Sequence, residues 1–202
     1  MTSLELRSRT PDSWAAHVMA KENLPAFVAD HAVCELQASV YALSLVGTYP
    51  RNAPLVDRLS ALAAEELRHF RRVSREARRL GAPMKTTRRN FYVAELRAAC
   101  RREREPEKGL DLLLVAALIE ARSHERFERL LGHVTDARLA KLYVDLAQAE
   151  ARHGPIYLGL AIAHAGEEAA KQRLDELLDV EARALALPPK AEISVHGAAY
   201  PG

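Results

Sequence analysis

The sequence is poor in the residues that many other folds depend on. Its 202 residues include only two cysteines, Cys34 and Cys100, and no CxxC pair. A disulfide framework is therefore excluded, and both thiols are expected to stay reduced, as in a cytoplasmic protein. Aromatic residues make up 5% of the chain, and no stretch alternates apolar and polar residues as a half-buried strand would. The most apolar run, "LDLLLVAALI", has about half the length a bilayer-crossing helix needs, and it carries Asp111. The opening "MTSLELRSRTPDSW" lacks the apolar centre of a secretory signal, so no membrane association is expected. A formal net charge of only +2 excludes a uniformly polycationic chain.

Ala, Leu, Arg and Glu dominate instead, and helical periodicity runs through most of the chain. The expected fold is all-α. Asp12 or Ser13 can cap a short first helix. Asn23 precedes "LPAFVADHAVCELQASVYALSLVG", which ends near Gly47. "LVDRLSALAAEELRHFRRVSREARRL" stops at Gly81. A shorter helix, "FYVAELRAACRRER", leads to Pro106, which opens the next long run up to Gly132. Thr135 or Asp136 can cap the run beginning at Ala137, where Gly154 and Pro155 predict a kink. A last helix, "EEAAKQRLDELLDVEARALAL", precedes a tail with no helical pattern.

Two of the long runs carry Glu-x-x-His: Glu66 with His69, and Glu150 with His153. The i, i+3 spacing puts each pair on one helix face. Glu35 lies 31 residues before Glu66, and Glu120 lies 30 before Glu150. In an antiparallel hairpin turning near Gly47, Glu35 and Glu66 each sit roughly 18–20 Å from the turn, at about 1.5 Å per residue. The second hairpin gives roughly 18 and 22 Å by the same rise. All four carboxylates thus return to similar heights. Glu35 and Glu120 also interrupt apolar stretches, where a lone ionised carboxylate is costly. Two divalent cations would balance four carboxylates and two neutral imidazoles, and oxygen with imidazole suits iron or manganese. One Glu from each of two helices, with Glu-x-x-His from each of two others, is the ferritin-like di-iron pattern.

The expectation is therefore one ferritin-like four-helix domain over residues 1–202 with a long crossover and flanking helices. Its hairpins fall at about 24–80 and 107–165, the crossover at 81–106, a C-terminal helix at 166–187 and an irregular tail at 188–202. His31 and His124 flank Glu35 and Glu120 by one turn and are read chiefly as core or boundary histidines, the alternative being a hydrogen-bond donor behind the ligand or an extra ligand. Asp30 and Asp145 are candidates for orienting the ligand imidazoles. Cys34 is read as an inert thiol pointing away from the metal, and Tyr41 and Tyr157 as packing residues. His17, His133, His164 and His196 belong to no visible constellation.

Charge is unevenly spread. Residues 65–105 hold 13 Arg or Lys against 6 Glu. Guanidinium forks suit phosphate oxygens, so a polyanionic substrate such as nucleic acid competes with a solvated helix face.

The segments "DHAVCELQAS", "LAAEELRHF", "LLVAALIEARSHERF" and "AEARHGPIYLGLA" together resemble the tRNA hydroxylase family often called MiaE. The likeness spans nearly the whole chain. It implies an O2-dependent di-iron monooxygenase that hydroxylates the isopentenyl group of 2-methylthio-isopentenyl-adenosine beside the anticodon. It also implies two iron ions, an electron-donating reductase or ferredoxin, and Glu35, Glu66, His69, Glu120, Glu150 and His153 as ligands. Glu66 and Glu150 would bridge. The basic residues Lys85, Arg88, Arg89, Arg101 and Arg102 are the candidates for holding the anticodon stem-loop. A ferritin-like iron store or peroxide scavenger is the alternative, although scavengers of the rubrerythrin kind carry a CxxC domain that is absent here.

Overall fold

The computed structural model describes residues 4–83, 90–186 and 193–197. Among them the chain forms helices and no strand: α1 (Asp12–Met19), α2 (Leu24–Thr48), α3 (Ala53–Arg79), α4 (Phe91–Ala98), α5 (Glu107–Leu131), α6 (Ala137–Ala165) and α7 (Glu167–Leu185). Local chemistry fixes many of the boundaries. The Asn52 side chain accepts the Leu55 N–H and starts α3, with Pro54 in its first turn. Gly81, at φ 73°, takes the left-handed turn after α3 that a side chain would resist. Asp136 caps α6 by accepting from the N–H groups of Arg138 and Leu139.

Two local expectations change. Residue Pro11, not Asp12 or Ser13, occupies the cap position of α1, and no side chain caps it. Helix α4 stops at Ala98 instead of continuing through Arg104, because Arg101 turns its backbone N–H onto the buried Asp111 carboxylate. Helix α6 runs from Ala137 to Ala165 with Gly154 and Pro155 inside it. Gly154 serves close packing: a Cβ there would sit 3.4 Å from the Ala117 carbonyl of α5, beside Glu120.

Helices α2 and α3 pack as one hairpin and α5 and α6 as another, joined through α3 against α6. This is a ferritin-like four-helix bundle. Among the described residues, α2 and α5 make no backbone contact, so the bundle is closed on its α3/α6 side and parted on its α2/α5 side. Helix α4, from the crossover, and α7 pack together and against α5. Two apolar clusters fill the bundle. One joins Leu45, Leu59, Leu62, Leu113 and Tyr157; the other joins Phe27, Val73, Phe127, Leu139 and Tyr143. On every long helix the metal-site candidates fall between the two clusters, which makes them a polar layer sealed above and below by hydrocarbon.

The periphery is tied by buried arginines. The Arg122 guanidinium donates to Glu181 at 2.8 and 3.0 Å, and to the Ser8 carbonyl at 2.9 Å. Arg126 lies over the Trp14 ring and donates to the carbonyls of Val195 and Gly197. Full burial of these cations is tolerable only because carboxylates and carbonyls meet them.

Candidate metal centre

Helix periodicity delivers Glu66 and His69 from α3, and Glu150 and His153 from α6, onto facing surfaces. Glu35 on α2 and Glu120 on α5 complete the layer. All six side chains are buried. Oxygen and nitrogen atoms of Glu35, Glu66, His69 and Glu150 lie within 4.8 Å of one another. The same limit groups Glu66, Glu120, Glu150 and His153. Glu66 and Glu150 belong to both groups, the positions that bridging carboxylates would occupy.

The contacts are those of converging metal-donor atoms. His153 Nδ1 lies 2.7 Å from Glu66 Oε1, yet neither atom has a hydrogen-bond partner. Glu150 Oε2 is likewise buried without a partner. His69 Nδ1 lies 3.3 Å from Glu66 and 3.5 Å from Glu35. Orphaned buried polar atoms are rare and costly, and lone pairs that converge without alignment fit a cation between them. The residues present therefore fit a pair of divalent metal ions with mixed oxygen and imidazole ligation.

Electrostatics give the same account. Burial pushes Glu120 and Glu150 well above the usual carboxylate range, with the Glu150 charge acting on Glu120 and the Glu66 charge on Glu150. Burial also raises Glu66, against the pull of the His153 and His69 imidazoles beside it. Glu35 goes the other way: its hydrogen bonds to His31 and His69 overcome burial and hold it below the usual range. Both imidazoles are pushed up to about 9, because neighbouring carboxylates overcome the burial that would lower them. Without cations, protons must neutralise this layer.

His31 is both a satisfied core histidine and a partner of the site: its Nε2 is 2.6 Å from Glu35 Oε1, and its Nδ1 is 3.2 Å from the Tyr143 hydroxyl. His124, its counterpart on α5, turns instead to the Ala147 carbonyl at 2.9 Å. Neither Asp30 nor Asp145 orients a ligand imidazole. Asp30 accepts the Val195 N–H, and Asp145 pairs with Arg72. Glu65 takes the orienting position, 3.4 Å from His153 Nε2 and 3.9 Å from His69 Nε2, backed by Arg152 at 2.9 Å. Its place next to Glu66 in "AEELRHF" was visible, but a carboxylate one residue from a ligand ordinarily points elsewhere on a helix.

A cavity of about 590 Å³ fills the parted α2/α5 side and reaches Glu35, Glu66, Glu120 and Glu150. Its walls include Tyr41, Val93, Phe127 and His196. Arg97 stacks over the Tyr41 ring, and the Tyr41 hydroxyl donates to the Leu112 carbonyl. Cys34 also lines this cavity, its Sγ facing Asp30, and burial keeps its thiol protonated. Tyr157 is fully buried in the apolar cluster. Of the basic candidates, Arg102 lines the cavity, while Arg101 is engaged by Asp111 at 2.7 Å. Lys85, Arg88 and Arg89 lie outside the described residues.

Residues 2–197 match the model of the family tRNA-(ms2io6A)-hydroxylase (MiaE). The chain is 38% identical over 187 residues to a tRNA 2-(methylsulfanyl)-N(6)-isopentenyladenosine(37) hydroxylase from Pseudomonas putida, covering 93% of this chain and 89% of that protein. It is 30% identical over 239 residues to the enzyme of the same name from Salmonella typhimurium, covering 95% and 87%. Among solved structures it is similar to "Protein 43 with aldehyde deformylating oxygenase activity" from Synechococcus. That likeness has a TM-score of 0.87 and 35% identity, and covers 96% of each chain.

Proposed function

Because the chain belongs to the MiaE family of tRNA hydroxylases, we propose that it hydroxylates the isopentenyl group of 2-methylthio-isopentenyl-adenosine next to the anticodon of tRNA. The single observation that carries the reading at atomic level is the cavity that opens directly onto the buried Glu/His layer. The assigned metal ligands are Glu35, Glu66, His69, Glu120, Glu150 and His153, with Glu66 and Glu150 shared.

Two iron ions in this layer would supply O2 activation with electrons from an external reductase or ferredoxin. In balance, one oxygen atom enters an allylic C–H bond. The other leaves as water, with two electrons and two protons consumed. The protein's own residues set the conditions. The two apolar clusters exclude water from the layer above and below. His31 fixes the Glu35 carboxylate, and Glu65 steadies His153 from behind. The α2/α5 opening admits a base swung out of the anticodon loop, with its apolar substituent toward the carboxylates. Phosphate contacts from the basic residues at the cavity rim, Arg102 among them, would add affinity and position more than selectivity.

No helix among the described residues is long and apolar enough to cross a membrane, and a tRNA substrate fits a cytoplasmic location. The storage or scavenging alternative has no support from the family match. A second reading, oxygenase action on an aldehyde, comes from the Synechococcus neighbour. The test is nucleoside mass spectrometry of tRNA bearing the isopentenyl base after incubation with iron-loaded protein, reductant and O2, run beside an aldehyde. Gain of one oxygen by the nucleoside supports the proposal. Loss of aldehyde with no change in the nucleoside contradicts it.

A further inference from the structure

The C-terminal segment 193–197 returns to the bundle as a strap across one wall of the cavity. Its anchors are specific. The Val195 N–H donates to Asp30 at 2.9 Å, Arg126 holds the Val195 and Gly197 carbonyls, and Ser194 accepts from Asn90 at 3.3 Å. Val195 is fully buried, so the strap is part of the core and not an appendage.

These anchors fix the next side chain, His196, in the cavity wall alongside Glu120, Phe127 and Ser123. Its ring lies flat on Tyr92, with centroids 5.6 Å apart and an interplanar angle of 8°. Nε2 is 3.4 Å from Ser123 Oγ. Nδ1 is buried and has no partner, although the residue is only 5% exposed. Burial, with Arg126 nearby, lowers the imidazole to about 3, so the ring is neutral at any working pH. A neutral imidazole is either a donor or an acceptor at each nitrogen, and an unmet one inside a cavity wall costs about 1–3 kcal/mol.

Ser123 meets Nε2 and Tyr92 meets the ring face, but nothing meets Nδ1. The strap is held by backbone and arginine contacts that do not involve the imidazole, and an apolar ring would stack on Tyr92 as well. What the imidazole adds is a fixed, uncharged hydrogen-bonding edge beside the carboxylate layer. The Arg97–Tyr41 pair, Val93 and Phe127 supply flat and apolar surface around it. Such a wall suits a planar heterocycle that carries both hydrogen-bonding edges and apolar substituents.

We infer that His196 is a substrate-recognition residue, whose Nδ1 hydrogen-bonds the edge of the modified adenine when the base occupies the cavity. This deepens the proposed function and rests on its reading of the cavity. His196 acts in binding and discrimination, and the chemistry at the allylic carbon does not pass through it.

The experiment measures binding of two anticodon stem-loop RNAs to the metal-free full-length protein, one carrying 2-methylthio-isopentenyl-adenosine and one carrying plain adenosine. Turnover of the first RNA by the iron-loaded protein is followed in parallel. His196→Leu is expected to weaken binding of the modified stem-loop about tenfold and to raise KM by a similar factor, with kcat within about twofold. Its Tm without RNA is expected to stay within a few degrees of the wild type, because an unmet polar group is removed while the Tyr92 stacking and the Ser123 contact are lost. His196→Asn, whose amide can stand where Nδ1 stood, is expected to restore most of the binding. Unchanged binding by His196→Leu overturns the inference. So does a lowered Tm with equal binding loss in both variants, which would make the residue merely structural. If the wild type fails to hydroxylate the RNA while His196→Leu still loses binding, the proposed reaction falls and this assignment stands.

Discussion

The two halves of the carboxylate layer share one sequence pattern and differ in their surroundings. In the α2–α3 half, Glu35 is held by His31 at 2.6 Å, and His31 rests on Tyr143. In the α5–α6 half, Glu120 has no such partner, because His124 is occupied by the Ala147 carbonyl. Glu35 is accordingly held low and Glu120 high. The repeat in the sequence sets which donors face each other. The neighbours set opposite directions for the Glu35 and Glu120 carboxyls.

Several experiments would break or sharpen that contrast. The largest effect belongs to the shared positions. Glu66→Ala removes a donor from both halves, so metal content should fall from about two ions per chain to well below one. Turnover should drop by at least about 100-fold. Retention of two ions by elemental analysis would refute the sharing. Glu120→Ala should also abolish turnover but leave close to one ion bound, in the Glu35 half. Loss of both ions would show that the halves are not separable.

Smaller effects test the neighbours. His31→Leu should lower metal affinity about 10–100-fold, the usual consequence of losing a partner behind a ligand. His124→Leu should change it less than about twofold. Equal effects in competition titrations would erase the asymmetry. The metal-free protein also carries a pH signature. His69 and His153 are pushed up to about 9 in the fold, from an ordinary 6.5. Their stabilisation is fully present below about 6.5 and is lost as pH rises toward 9. Glu120 and Glu150, raised as well, act with the same sign. The apo Tm should therefore fall by roughly 3–10 °C between pH 6.5 and 9. The metal-loaded protein should not follow, since the ions replace the protons. A flat apo profile in scanning calorimetry would contradict this. Smallest is the rim: Arg102→Glu should weaken tRNA binding a few-fold and reduce its salt dependence. Arg101→Glu should act on folding stability instead, through the loss of its Asp111 pair.

Much of the centre was legible because helices are periodic. Glu35, Glu66, Glu120 and Glu150 could be brought to one height from a fixed rise per residue and the positions of Gly47 and Gly132. What sequence could not supply were contacts made by rotamer choice and by distant chain. Glu65 reaches His153 through side-chain direction, whereas His31 sits one turn from Glu35 by register and only its choice of partner was hidden. His196 arrives from beyond α7, across a segment with no periodicity, held by Arg126 and Asp30 from two other helices. Asp111, noted only as a flaw in an apolar run, proves to gather Arg101 and Arg173 and to end α4. Nothing in the local pattern of "LDLLLVAALI" announces those partners.

The most direct test of the central claim is anomalous diffraction at the iron edge from crystals of the iron-loaded protein. The account predicts two peaks inside the layer, with Glu66 and Glu150 ligating both, Glu35 and His69 on one, and Glu120 and His153 on the other. A single peak, or two peaks with Glu35 or Glu120 outside ligand distance, would contradict it.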